Sequence, residues 1–241
     1  MHKLTLLLNE NFGNAANQLL DALHMPAADR AHPWQEWLVT EILVFLILVA
    51  GAAMIRGWLS AVKPGKAQLV VETVYGFLRN TADEVGIHHS SKYAPYFATL
   101  FIFILACNLI GIIPAFESPT MFPWVPCGLA VATFFYYNFM GFREQGFWPY
   151  LKHFAGPIWW LAPLMIPIEI VSHLARPLSL TIRLFANMFA GEQVTLAFLK
   201  LTLLIAPAIF MGLHVFVSFL QAYIFALLAM IYVGGAIAHE H

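Results

Sequence analysis

Three charged side chains recur at intervals of seven residues in the C-terminal part of the chain, within a stretch that is otherwise apolar. They are Glu169, Arg176 and Arg183. In an α-helix of about 3.6 residues per turn, seven steps return to within about 20° of the starting direction, so the three share one face. Ionisable groups at membrane depth are costly and mark pathways for ions or substrates. The spacing predicts a polar path along a helix, although Arg176, beside Pro177, is also explained by structural pairing near a helix end.

Glu192 belongs to a different face of the same region. It follows Arg183 by nine residues, or about 180° around a helix, so the two should form no ion pair within that helix. Glu192 would then face a second aqueous cavity, unless Gly191 ends the helix and leaves the carboxylate at the membrane interface. The polar residues close to the first stripe are Ser172, His173 and Ser179.

A second polar pair with the same spacing follows further along the chain. His214 and Gln221 lie seven residues apart among Phe, Val, Leu and Ile. Histidine titrates near neutral pH, which suits a proton relay. The alternative is a hydrogen-bonded histidine in the core, but the glutamine at the same spacing favours a polar wall. The remaining histidines do not have the spacing of a zinc site, so we expect no metal and no cofactor.

The composition identifies the environment in which these groups must work. The chain has 241 residues, of which 61% are hydrophobic and 10% charged, against about 45–50% and about 25% in ordinary soluble domains. This excludes a soluble enzyme, a disordered chain and a nucleic-acid-binding protein. The net charge of −1 gives no attraction for polyanions either. The composition predicts an all-α protein that crosses a membrane several times.

Uncharged intervals of about 20 residues predict the membrane helices. The first three spans are expected at about 38–57, 94–116 and 124–142. The last apolar region, about 157–238, could hold two helices of about 60 Å each, which would have to tilt steeply. Four ordinary spans would also fit its length, and Pro163, Pro167, Pro177 and Pro207 offer breaks. The sequence pattern alone leaves both options open.

The segments outside the spans set the expected topology. Residues 1–37 form a mixed polar tail without an apparent cleavable signal, and we expect one short amphipathic helix in it. A second amphipathic helix is predicted within 59–92, lying on the membrane surface or packed on another subunit. Basic residues are concentrated in the connections 56–92 and 143–156, whereas 117–123 has none. By the positive-inside rule the N-terminal tail lies outside and the C-terminus is cytoplasmic.

One run of residues gives the chain a family resemblance. The stretch from Arg176 to Glu192, with Arg183-Leu-Phe-Ala-Asn-Met-Phe-Ala-Gly at its centre, resembles subunit a of the F-type ATP synthase. His214 followed by Gln221-Ala-Tyr-Ile-Phe continues the likeness. Upstream, Asn108-Leu-Ile-Gly-Ile-Ile-Pro is also similar to the family, and the resemblance covers about residues 35–241.

The resemblance implies a function and a fold. Members of this family carry ions to a rotating ring of c subunits, with catalysis on other subunits. The implied fold has about five membrane helices plus an amphipathic helix, the last two helices being long and tilted against the c-ring. The resemblance thus selects two long helices for the last region. It also implies b-type peripheral stalk subunits as partners. The compact chain and its Ala-His-Glu-His end favour the bacterial inner membrane as the location, with an organelle membrane left open as the alternative.

The resemblance also assigns roles residue by residue. Arg183 matches the essential arginine that faces the carboxylate of the c-ring. The residues that match the external half-channel are Asn187, Glu192, His214 and Gln221. Those assigned to the cytoplasmic half-channel are Glu169, Ser172, Ser179 and, as a neighbour of Glu169, His173. One family serine position is Ala175 here, which makes that wall less polar than in some members.

Three other classes compete with this interpretation. A membrane haem protein would use His173 and His214 as axial ligands, but such proteins usually need facing pairs of histidines. A solute transporter would show internal repeats, and the sequence has no evident one. A purely structural assembly subunit would not need five ionisable groups in its last helices.

Overall fold

The computed structural model describes residues 2–22, 33–57, 65–87, 90–113, 116–146, 162–201 and 205–237. All regular elements in these ranges are helical. They are α1 (His2–Ala22), α2 (Glu36–Gly57), α3 (Lys66–Glu84), α4 (Ser90–Ile110), the 3-10 helix η1 (Pro119–Met121), α5 (Trp124–Gln145), α6 (Ala162–Leu201) and α7 (Ile205–Ile237). The predicted all-α class is confirmed.

Four of these helices are long and apolar enough to cross a membrane. They are α2, α4, α5 and, over Ala208–Ile237, most of α7. A helix satisfies its backbone hydrogen bonds internally, which is the requirement for a segment surrounded by lipid. The side chains of Phe45, Leu46 and Ile47 on α2 are more than half exposed within the chain. This face of α2 is therefore suited to lipid or to another subunit.

The core lies where α4, α5, α6 and α7 meet. Phe97 and Ile104 of α4 are completely buried there, beside Leu184 of α6. On α7 the inward positions are small, with Ala222, Ala226 and Ala229 completely buried. Small side chains at spacings of three and four residues allow neighbouring helices to approach closely, which is how membrane helices gain packing energy.

The region predicted to hold two or four helices contains two long ones. The helix α6 runs for 40 residues through both Pro167 and Pro177, and α7 runs for 33 residues. Four ordinary spans are thus wrong for this part of the chain. A proline removes one helix hydrogen bond and disfavours helix in water, but membrane helices tolerate it when neighbouring groups satisfy the freed backbone.

The two long helices are antiparallel and keep a constant register. The ring of Phe198 stacks on that of Phe210 with centroids 4.1 Å apart. Asn187 donates to Gln221 at 2.7 Å, and the guanidinium of Arg176 lies 5.2 Å from the ring centre of Tyr232. Successive contacts are eleven residues apart on both helices, about three turns. The same faces of α6 and α7 therefore meet over this whole length.

A buried set of polar side chains fixes α7 against α4 and η1. Asn108 donates to the carbonyl of Ser218 at 3.2 Å and accepts from the hydroxyl of Thr120 at 2.7 Å. Ser118 bonds to Thr120 and to the carbonyl of Cys107. Because buried polar groups need partners, this set locates the end of α4, η1 and the middle of α7 relative to one another.

The first predicted amphipathic helix differs from expectation in length, and the second, which lies within the predicted interval, differs in its packing. The first, α1, is 21 residues long rather than short, and Asn9 bonds to the backbone of Trp34 at the start of α2. The second, α3, begins at Lys66, and its Leu78 and Ala82 are completely buried within the chain. The predicted hairpin ends, 157–161 and 238, lie outside the described residues.

Candidate functional site

Arg183 occupies the exposed flank of α6. Its neighbours Leu180 and Leu184 face the core and are almost fully buried, whereas Arg183 itself is exposed. Among the described residues, no hydrogen bond or ion pair engages its guanidinium. An arginine stays charged under any local condition. A permanent cation is thus presented to whatever lies beside this face of α6.

His214 on α7 lies against α6, the helix that carries Glu192. His214 is buried where α7 crosses Gly191, so closely that a side-chain carbon at Gly191 would come within 2.7 Å of Nδ1. Any larger residue at this position would have to displace the ring of His214. The helix continues past Gly191, which contradicts the option that it ends there.

Glu192 and Gln221 each have a buried polar atom that is not hydrogen-bonded within the described part of the chain. The two atoms are Oε2 of Glu192 and Nε2 of Gln221. Gln221 is 2% exposed and uses its Oε1 to accept from Asn187. An unpaired buried polar atom costs free energy unless water or another molecule reaches it. We call Asn187, Glu192, His214 and Gln221 the Glu192 cluster.

An acidic residue outside the hairpin lies close to the Glu192 cluster. The charge of Glu117, in the loop before η1, interacts with that of Glu192. Partial burial raises the pKa of Glu117 above its ordinary value, and the negative charge of Glu36 adds to the effect. Carboxyl groups from three parts of the chain thus converge on one end of the hairpin.

The other end of the hairpin holds a bonded set of side chains. His173 is buried, with its Nε2 3.3 Å from Oε1 of Glu169 and its Nδ1 2.8 Å from the hydroxyl of Tyr137. We call Glu169, His173 and Tyr137 the Glu169 cluster. Ser172 and Ser179 are exposed on the flank of α6 that also carries Arg183.

Arg176 packs against the edge of this cluster. Its guanidinium lies 5.7 Å from the ring centre of Tyr137 and 5.2 Å from that of Tyr232. A cation over the face of an aromatic ring is attracted by the ring's quadrupole. This geometry gives Arg176 a packing partner on each neighbouring helix, which Arg183 lacks among the described residues.

The two histidines cannot serve one haem. His214 lies beside Gly191, which is 18 residues along α6 from His173. At about 1.5 Å per residue the two are separated by about 27 Å along the helix. The geometry therefore rejects the haem interpretation for this pair.

Sequence reasoning did not find Tyr137 or Glu117. Tyr137 lies in the run Phe-Phe-Tyr-Tyr of α5, where no spacing distinguishes it from a packing residue. A usable signal was its hydroxyl, because a tyrosine in an apolar helix needs a hydrogen-bond partner. Glu117 is an acid at the edge of an uncharged interval, which by itself resembles an ordinary loop residue.

Comparison with known proteins adds independent information. The model of the family described as ATP synthase A chain matches residues 36–234. The chain is 57% identical to the ATP synthase subunit a of Solibacter usitatus, over 98% of this chain and 100% of that protein. It is 48% identical to the subunit a of Koribacter versatilis over 98% and 97%, and 42% identical to that of Geobacter sulfurreducens over 93% and 95%.

Proposed function

The chain belongs to the ATP synthase A chain family, the membrane-sector proton-translocating subunit, and on that premise we propose that its α6–α7 hairpin forms two proton half-channels separated by Arg183. The observation that carries the proposal is the position of this arginine. It lies nine residues from Glu192 and 14 residues from Glu169, or about 13 Å and about 21 Å along α6. Arg183 therefore lies between the two clusters along the axis of α6.

Arg183 would act on a carboxylate of another subunit. Its charge has no partner among the described residues of this chain, and a membrane charge is sustained when it is paired. A carboxylate from the c-ring that faced α6 would be stabilised in its ionised form by direct charge interaction. The ring carboxylate would thus lose its proton on meeting Arg183, and protons could not pass directly between the half-channels.

The Glu192 cluster would form the external half-channel. Oε2 of Glu192 and Nε2 of Gln221 are buried without a hydrogen-bond partner among the described residues, so water or a proton carrier would have to satisfy them. Glutamate and histidine can each accept and release a proton. Protons arriving from outside would pass through this cluster to the ring carboxylate, which then turns away from Arg183.

The Glu169 cluster would form the cytoplasmic half-channel together with Ser172 and Ser179. The two hydroxyls are exposed on the flank of Arg183, where they can hydrogen-bond water. The carboxylate of Glu169 would receive the proton that the ring carboxylate releases after rotation. Proton transfer would be the only chemistry that this chain carries out in the proposal.

The proposal also predicts how the chain lies in the membrane and which molecules surround it. A helix of 40 residues is about 60 Å long, twice the hydrocarbon thickness of about 30 Å, so α6 would tilt steeply along the c-ring. Exposed apolar faces such as that of α2 would serve lipid or b-type stalk subunits. The basic connections favour a topology with the N-terminus outside and the C-terminus in the cytoplasm of a bacterial cell.

The test replaces the arginine in the assembled complex and measures ATP-driven acidification of inverted vesicles. Arg183→Lys keeps the charge but loses the planar fork, and Arg183→Ala removes both. We expect each to lower coupled pumping at least about 100-fold, and Arg183→Ala to leave a passive proton leak. Arg176→Lys is the matched control, because this cation sits between tyrosine rings, and it should keep most of the activity. Normal acidification by an Arg183→Ala complex that copurifies with its c-ring would refute the proposal.

A further inference from the structure

Tyr137 contacts the cytoplasmic half-channel from outside the α6–α7 hairpin. It lies on α5, is 1% exposed, and reaches Nδ1 of His173 at 2.8 Å. Its ring also lies along the histidine ring, with centroids 5.8 Å apart and an interplanar angle of 28°. The hydroxyl and the ring together hold the imidazole from one side.

The chemistry of the two nitrogens determines the direction of the hydrogen bonds. A neutral imidazole has one nitrogen that donates and one that accepts. Nε2 faces a carboxylate oxygen of Glu169 at 3.3 Å, and an ionised carboxylate only accepts. Nε2 must therefore carry the hydrogen, which leaves Nδ1 to accept from the hydroxyl of Tyr137. This is the one arrangement of a neutral His173 that satisfies both contacts.

We propose that Tyr137 is a positioning residue for proton transfer at Glu169, because its hydroxyl fixes the tautomer of His173 that points Nε2–H at the carboxylate. The bond at one ring nitrogen determines what the other can do. Without the hydroxyl, Nδ1 can carry the hydrogen, and Nε2 then turns a lone pair toward Glu169. The inference rests on the proposed role of Glu169 in the half-channel.

The charged and titratable groups that surround His173 come from three helices. Glu169 on α6 and Tyr137 on α5 contact it directly, whereas Arg176 on α6 and Tyr232 on α7 lie beside the cluster. Tyr137 and Tyr232 are alike in holding Arg176 over their rings, at 5.7 and 5.2 Å. They differ at the hydroxyl. That of Tyr137 contacts His173 and also Asn138 and Arg176, whereas within the described part of the chain that of Tyr232 makes no bond to His173. The chain therefore contains its own control for the effect of the hydroxyl.

The experiment compares Tyr137→Phe with Tyr232→Phe in the assembled complex. Both variants keep the aromatic ring and the packing of Arg176. We expect Tyr137→Phe to lower ATP-driven pumping about five-fold, the worth of one hydrogen bond, and Tyr232→Phe to leave it unchanged. The pH profile of Tyr137→Phe, varied on the cytoplasmic side, should move toward higher pH, because a lone pair facing Glu169 favours its protonated form. A residue that only filled space would not move that profile.

Two further variants separate the inference from its premise. In a His173→Leu background, Tyr137→Phe should have no additional effect, because the tyrosine acts through the histidine. Equal losses in the two phenylalanine variants, or an unmoved pH profile, would overturn the positioning role. Glu169→Gln is measured in parallel. If it pumps normally, the half-channel itself is wrong, whereas an impaired Glu169→Gln beside a normal Tyr137→Phe overturns the positioning role alone.

Discussion

The two ends of the α6–α7 hairpin satisfy their polar atoms in opposite ways. In the Glu169 cluster, both ring nitrogens of His173 are engaged by protein groups, Glu169 on one side and Tyr137 on the other. In the Glu192 cluster, Glu192 and Gln221 each keep one buried atom with no partner in the described part of the chain. One end satisfies its ring nitrogens with protein groups, and the other leaves two buried atoms for water or another molecule to satisfy.

The difference comes from what packs beside each cluster. At the Glu169 end, α5 and α7 contribute two tyrosines, whose hydroxyls and ring faces can meet polar groups. At the Glu192 end, α7 approaches Gly191 of α6, and the missing side chain is replaced by the ring of His214. In the proposed half-channels, one proton path would thus be built from fixed hydrogen bonds and the other from polar atoms that bind water.

Replacing Glu192 and Glu169 by leucine, one at a time, should give the largest difference between the two clusters. Glu192→Leu should reduce pumping about 100-fold, the scale of a lost proton-transfer group. It should not lower thermal stability, because it removes an unpaired buried oxygen. Glu169→Leu should lower both pumping and thermal stability. The stability loss should be about 1 kcal/mol, because the Nε2 hydrogen of buried His173 loses its acceptor. Pumping and thermal unfolding of the purified complex measure the two effects, and equal stability losses would contradict the comparison.

Filling the space at Gly191 should disturb only the Glu192 end. A carbon added there would lie 2.7 Å from Nδ1 of His214, so Gly191→Ala should displace the ring and slow pumping several-fold. Gly212→Ala is the matched control on α7, since nothing lies within 4 Å of its added carbon. Vesicle acidification compares the two. If both alanine variants behave alike, the close contact of His214 with α6 has no role in transport.

The smallest effect is expected at Glu117. Its raised pKa, caused by burial and then by Glu36, means that folding favours the protonated carboxyl. That contribution is present at low pH and is lost as pH rises through the folded-state pKa. Glu117→Gln should therefore be slightly more stable than the parent at pH 8 and equal to it near pH 4. Thermal unfolding over this range is the measurement, with Glu72→Gln, at an exposed position on α3, as the control.

Much of the fold could be predicted because lipid imposes a simple rule. Uncharged intervals of sufficient length must be helices, and α2, α4 and α5 lie close to the intervals expected for them. The continuity of α6 could not be predicted from local rules, since Pro167 and Pro177 favour breaks. Helix continuation there depends on neighbouring helices, which lie elsewhere in the sequence.

The candidate site was predictable only along single helices. Heptad spacing grouped Glu169 with Arg176 and His214 with Gln221, because both are properties of one element. The structure brings Gln221 to Asn187 and His173 to Tyr137, contacts between residues 34 and 36 positions apart. Such pairs follow from packing. The roles of Arg183 and of both clusters stay predictions until the variants are measured.

The constant register of α6 against α7 constrains how the sequence of this hairpin can diverge. Each inserted or deleted residue within either helix would rotate the remainder by about 100° and break every later contact. Length changes within either helix should therefore be poorly tolerated. Substitutions should be inherited in pairs, with positions 187 and 221 changing together, as should 198 and 210, because residues in contact co-vary. Arg183, whose partner would belong to another polypeptide, should instead vary with a position encoded by a different gene.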